Sequence, residues 1–260
     1  MTDLSKTLVI KTLFVYGITH ALVDAACAGI VFADFNRGSD FLFIVVLYNV
    51  LGFGLQPLLG ELVDKAQKPV ISAIIGCALT AFAAVTYKFT IVAIVLAGVG
   101  NALFHVSGGI VCLNMSNKKA AIPGIYVAPG TIGLFIGTLI GKSGHFSPYP
   151  FVLLFVTLMI FIYKIKAPQI NYDNNIEVKH SKYELIILLL LISISIRSFV
   201  GMAVVFPWKT NTSLLYVLIF SVFLGKALGG VFADKFGWIK ITILGLAFSV
   251  LSNKQKNSSS

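Results

Sequence analysis

Apolar residues in this chain neither alternate with polar ones, as on a half-buried strand, nor keep to one helical face. They run almost unbroken for about the length of a bilayer crossing. Nine such stretches are legible, at about 7–33, 40–63, 69–87, 89–113, 120–141, 148–165, 184–206, 211–233 and 239–252. The turns between them are mostly short, and the alternation that marks the strands of a membrane β-barrel is missing. The pattern predicts an all-α, polytopic helical membrane protein with about nine transmembrane helices. The first stretch is too long for a cleaved signal peptide, and it carries His20 and Asp24 inside its apolar run.

One interruption is longer than the rest. Residues 166–182 (KAPQINYDNNIEVKHSK) form a polar segment that reads as a cytoplasmic linker. It divides the chain into a six-helix membrane half (1–165) and a partial second half of three helices (183–252), followed by a polar tail (253–260). Loop cations set the orientation. With the N-terminus in the cytoplasm, eleven lysines fall on the cytoplasmic side: Lys6, Lys65, Lys68, Lys118, Lys119, Lys164, Lys166, Lys179, Lys182, Lys235 and Lys240. The outer turns hold only Arg37, Lys88, Lys142 and Lys209. This positive-inside bias predicts an integral protein of the plasma (inner) membrane with a cytoplasmic N-terminus.

Composition agrees. Of 260 residues, 57% are hydrophobic and 12% charged, and the mean hydropathy is +0.92. A soluble domain carries about twice that share of charge, and a disordered chain lacks the hydrophobicity. The bilayer is therefore the expected solvent. The net charge of +10 reads as loop topology and not as a nucleic-acid surface. Cys27, Cys77 and Cys112 lie in apolar stretches without CxxC or zinc spacing and read as packing residues. Gly137 to Ser143 resembles a phosphate-binding loop but is one residue short between its glycines. With no HExxH, no GxSxG and no sequence cluster of Cys and His, neither an enzyme, a metal site nor a cofactor is expected.

A repeat links the two halves. Gly60-Glu61-Leu62-Val63-Asp64-Lys65 returns 170 residues later as Gly230-Val231-Phe232-Ala233-Asp234-Lys235, and Gly237 follows. Glycine lets a neighbouring helix approach closely. An aspartate at a helix end can meet cations or another helix's N-terminal dipole. Such a pair of loops reads as a conformational latch, against the plainer alternative of topogenic loops with a chance Asp.

The spans themselves carry polar groups, which are costly in lipid and usually functional. His20 and Asp24 share a face at i, i+4 and read as a proton or substrate site, or else as interhelical hydrogen-bond glue. Asn101 and His105 repeat that spacing among small residues, as a cavity lining or a satisfied core pair. Arg197 needs an anionic partner, for which Asp24 or an anionic substrate is available. Lys11 and Lys226 are the other cations inside spans. Gly133, Gly137 and Gly141 recur every fourth residue as a smooth packing face, and Pro129 can kink or flex the same helix.

The repeated loops resemble the G-x-x-x-D-x-x-G-R-[RK] signature of the major facilitator superfamily. The second copy keeps Gly230, Asp234 and Gly237; the first keeps Gly60 and Asp64 but has Gln67 at the later glycine. G-x-x-H-x-x-x-D, G-N-A-x-F-H, the A-P-G span and R-S-x-x-G together resemble its fosmidomycin-resistance branch, with Val106 where that branch usually has proline. The resemblance implies a major-facilitator-type secondary transporter, a proton-coupled antiporter or efflux pump for a small molecule. His20, Asp24, Asn101, His105 and Arg197 would line its proton and substrate path. Two six-helix halves would give twelve spans, so nine imply a C-terminally truncated chain. The alternative expectation is a transport-inactive membrane remnant or interaction module.

Overall fold

The computed structural model describes residues 6–35, 40–165 and 211–245, with 167, 185, 189, 192 and 247 as isolated positions. Arg197, the tail, the linker apart from Ala167 and the 184–206 stretch apart from three positions lie outside the described residues. The described elements are all helical: α1 (Lys6–Phe35), α2 (Phe41–Asn49), a π-helical segment (Val50–Gly54), α3 (Gln56–Ala66), α4 (Pro69–Val85), α5 (Thr90–Met115), α6 (Ala121–Lys142), α7 (Pro148–Ile165) and α8 (Thr212–Phe236). Residues 238–245 are helical as well.

Six of these helical runs are long and apolar enough to cross a membrane: Lys6–Ala33, Phe41–Ala66, Thr90–Met115, Ala121–Lys142, Pro148–Ile165 and Ser213–Phe236. Pro69–Val85 is a shorter apolar helix of 17 residues. This architecture is compatible with an integral membrane protein. The chain divides into a unit of residues 1–169 and 219–260 and a second of 170–218. All packing described below belongs to the first. The described part of the second is chiefly the opening turns of α8.

The second apolar run, continuous by hydropathy, changes its winding midway. Pro57 near the start of α3 has no N–H to give to the preceding turn, and glycines stand at 52 and 54. The ladder loosens into the π-helical segment, and the Gln56 side-chain amide donates to the Gly52 carbonyl at 2.9 Å. Gln67, in the left-handed region at φ 52°, ends α3. Pro69, at the first turn of α4, has no N–H to leave unpaired.

The bundle is built on close crossings, and α1 packs most extensively on α6. A Cβ at Gly133 would strike the Ala21 carbonyl, one at Gly137 the Ala25 carbonyl, and one at Gly141 would sit 2.7 Å from the Gly29 carbonyl oxygen. The four-residue glycine spacing is thus a backbone-to-backbone seam, which is how helices associate where hydrophobic burial gives no preference. A second seam joins α4 to α5: a Cβ at Gly76 would lie 2.7 Å from the Phe104 nitrogen, and one at Gly100 2.8 Å from the Gly76 carbonyl oxygen. Three buried threonine hydroxyls are satisfied within their own helices. Thr12, Thr19 and Thr80 donate to the carbonyls of Leu8, Val15 and Gly76 at 2.8, 2.7 and 3.0 Å.

The α1–α6 seam generates a test. Gly137→Ala inserts a methyl group into backbone and is expected to cost about 1–3 kcal/mol, read as a lower unfolding temperature in detergent. Gly225→Ala in α8, with nothing within 4 Å among the described residues, should not lower it, since alanine is the better helix former. Equal responses of the two variants would refute the seam.

Candidate functional site

Asp24 stands at the centre of the polar interior. The α1 pitch puts His20 one turn before it, and the α5 pitch puts Asn101 and His105 on one face. The packing of α1 on α5 then turns those two faces toward each other. His20 Nε2 lies 3.2 Å from Asp24 Oδ2, and His105 Nε2 lies 3.5 Å from Asp24 Oδ1. Asn101 Nδ2 donates to Asp24 Oδ1 at 3.4 Å. The His20 and His105 rings meet edge to face, with centroids 4.4 Å apart.

The other nitrogen of each imidazole is tied to the backbone. His20 Nδ1 is 3.1 Å from the Tyr126 carbonyl of α6, and His105 Nδ1 is 2.9 Å from the Asn101 carbonyl of its own helix. A carbonyl only accepts, so each of these bonds requires hydrogen on Nδ1. The Nε2 of a neutral ring then presents a lone pair, and both lone pairs face the one carboxylate. Lone pairs facing carboxylate oxygens repel unless a positive charge lies among them. The geometry defines a cation-seeking centre: a proton on one ring or a coordinated ion would bind it together.

Burial sharpens that demand. His20 is 4% and Asn101 1% exposed, while the Asp24 and His105 side chains are 19% and 18% exposed, so one side of the centre stays open. Gly130 of α6 closes another side, since a Cβ there would strike Asp24 Oδ2 and lie 2.6 Å from His20 Nε2. Lys226 of α8 acts electrostatically on Asp24 and His105, and Tyr48 of α2 is coupled to Asp24 in the same way.

The latch residues divide. The Asp234 carboxylate accepts the Ala120 N–H at 2.7 Å and the Ala121 N–H at 2.9 Å, two donors at the start of α6. It thus caps a helix to which it does not belong, where the dipole favours negative charge. Gly230 makes the approach possible, because a Cβ there would overlap the Ala120 carbonyl, and Gly124 faces the Lys226 carbonyl across the contact. Gly237, at φ 92°, ends α8 in a conformation few other residues adopt. Asp64 is exposed at the end of α3, its carboxylate without a hydrogen-bond partner among the described residues, and Gly60 packs near Val106 of α5.

The structure therefore brings together four residues singled out by sequence, His20, Asp24, Asn101 and His105. Arg197, a candidate partner for Asp24, lies outside the described residues. Pro129 sits inside α6, its ring 3.4 Å from a Cβ built on Gly17. The sequence spacing offered no metal-ligand set, yet the ligand atoms of His20, Asp24 and His105 all lie within 4.8 Å of one another. The set was hidden because its members come from helices 77 or more residues apart. Tyr126, Gly130 and Lys226 had no assigned role; a lysine inside an apolar span was the one signal that could have found any of them.

No known family, curated protein or solved structure matches the chain. Fold and site together define a class, an all-helical bundle compatible with an integral membrane protein, with a partly buried carboxylate between two imidazoles.

The Asp234 cap makes a local prediction. Asp234→Ala leaves the Ala120 and Ala121 N–H groups without their acceptor. Hydrogen exchange of the peptide spanning 118–126 should quicken, whereas Asp64→Ala should not change it. Unchanged exchange in Asp234→Ala would contradict the cap.

Proposed function

We propose that the chain is a secondary active transporter of a small molecule, working by alternating access and coupled to protons in the efflux or antiport direction. The observation that carries this reading is the Asp24 carboxylate shared by two imidazoles inside an apolar bundle. Ionisable groups at such depth are costly and serve most often as ion or substrate pathways. A centre that needs one positive charge to be at ease can bind a proton in one conformation and release it in another. The groups that would set its proton affinity are His20 on α1, Tyr48 on α2, Asn101 and His105 on α5, Tyr126 on α6 and Lys226 on α8.

The major-facilitator resemblance supports the same reading. Of the two G-x-x-x-D-K copies, the later docks its aspartate on a helix N-terminus. A contact made of two hydrogen bonds and a dipole is weak enough to break during a transport cycle. We place the protein in the plasma (inner) membrane, and its N-terminus in the cytoplasm on the strength of the loop cations. Substrate would occupy a path beside Asn101 and His105, with Arg197 as its further lining residue.

The test is proton flux in vesicles holding the purified full chain and an internal pH dye, with fosmidomycin and ethidium as first probes. Addition of a transported probe should move protons, and Asp24→Asn should abolish the movement while the protein remains folded. Proton flux that persists in Asp24→Asn would remove the cluster from the coupling mechanism. The absence of probe-linked flux in the parent chain would count against transport.

A further inference from the structure

We propose that His20, Asp24 and His105 form a binding site for a first-row divalent transition-metal ion of the zinc or cobalt type, with the Asn101 carboxamide as a fourth ligand. The inference goes beyond transport, since an equilibrium binding site holds whether or not the chain moves anything.

Distance is the first argument. A tetrahedral ion bound at about 2.0–2.1 Å keeps its ligand atoms about 3.3 Å apart. Each imidazole already lies at about that distance from one carboxylate oxygen: His20 Nε2 is 3.2 Å from Asp24 Oδ2 and His105 Nε2 is 3.5 Å from Asp24 Oδ1. One ligand atom from each of the three residues lies within 4.8 Å of the others, so an ion would have to draw the carboxylate and the rings together by side-chain rotation.

Orientation is the second. An imidazole that ligates metal through one nitrogen almost always donates its other N–H to a backbone carbonyl or carboxylate, which fixes tautomer and aim. His20 and His105 both have that arrangement, with Nδ1 on the carbonyls of Tyr126 and Asn101 and Nε2 on the shared carboxylate. The Nε2 lone pairs are thus presented before any ion arrives, by side chains held on two packed helices.

Chemistry is the third. Two imidazoles and one carboxylate suit zinc, cobalt, nickel or ferrous iron and not calcium or magnesium, which take oxygen ligands. Asn101 adds an independent sign. It is 1% exposed, and its Oδ1 has no hydrogen-bond partner among the described residues although its Nδ2 points at Asp24. A half-turn of the carboxamide exchanges the two atoms and brings that oxygen to the centre as a ligand. Lys226 works against the ion, because its field reaches both Asp24 and His105.

The experiment is a Co²⁺ titration of the purified full chain in detergent, prepared without a histidine tag. The expected result is one Co²⁺ per chain, with the intense visible d–d absorption of a four- or five-coordinate site, displaced by Zn²⁺. Asp24→Asn and His105→Gln should each weaken binding by at least the roughly 10- to 100-fold that even an outer-shell partner is worth, while His145→Gln, at an exposed position, should not. Lys226→Met should tighten it, by roughly 3- to 10-fold. His105→Cys keeps a ligand and should add a cobalt–thiolate charge-transfer band, a positive signal that loss of folding cannot imitate. Failure of the parent chain to bind stoichiometrically would overturn the proposal. So would a weak six-coordinate spectrum, or binding unchanged in both Asp24→Asn and His105→Gln. None of these readouts depends on transport.

Discussion

One carboxylate governs the interior of this bundle. An ionised Asp inside apolar helices is tolerated only when its charge is answered by neighbours. Asp24 is answered by His20, His105 and Asn101, and electrostatically by Lys226. The answer is incomplete in a specific way. Both imidazoles commit their Nδ1 to backbone carbonyls, so the nitrogens that face the carboxylate bring lone pairs unless a cation joins them. The centre therefore calls for a positive charge, and that unmet demand is what favours the proposed ion site over hydrogen-bond glue.

The helix seams serve that centre. His20 reaches the Tyr126 carbonyl only because the glycines of α6 let it lie against the α1 backbone. Gly130, three residues before Gly133, extends the bare face of α6 into the site itself, where any side chain would displace His20 and Asp24. At the start of α6, Asp234 and Gly230 dock α8 beside Gly124. The helix that orients one histidine is therefore also the helix that Asp234 caps. A change at the Asp234 cap has a short physical route to the cluster, along α6 from Ala120 to Tyr126 and Gly130.

Much of this was legible along the chain, and the limits have physical reasons. Uninterrupted hydrophobicity gave the described helices within a few residues, as with 120–141 against Ala121–Lys142; the 184–206 stretch, apart from three positions, lies outside the described residues. It could not show the π-helical segment at Val50–Gly54, because a change of winding leaves hydropathy untouched; Pro57 and the nearby glycines were its only sign. The i, i+4 rule placed His20 with Asp24 and Asn101 with His105, each on one helix. It is silent on which helices adjoin, so the meeting of the two pairs emerged only from the packing of α1 on α5. The same silence hid Lys226, whose position matters only because α8 lies near the start of α6.

The central claim is that both histidines hold Nδ1–H and aim Nε2 at Asp24. Nitrogen-15 NMR of histidine-labelled protein in detergent reads it most directly, with the four histidines of the chain assigned by single Gln substitutions. Protonated Nδ1 on both His20 and His105 is predicted, with both Nε2 resonances shifting in Asp24→Asn. A His105 ring that carries its hydrogen on Nε2 alone, or that ignores Asp24→Asn, would contradict the account.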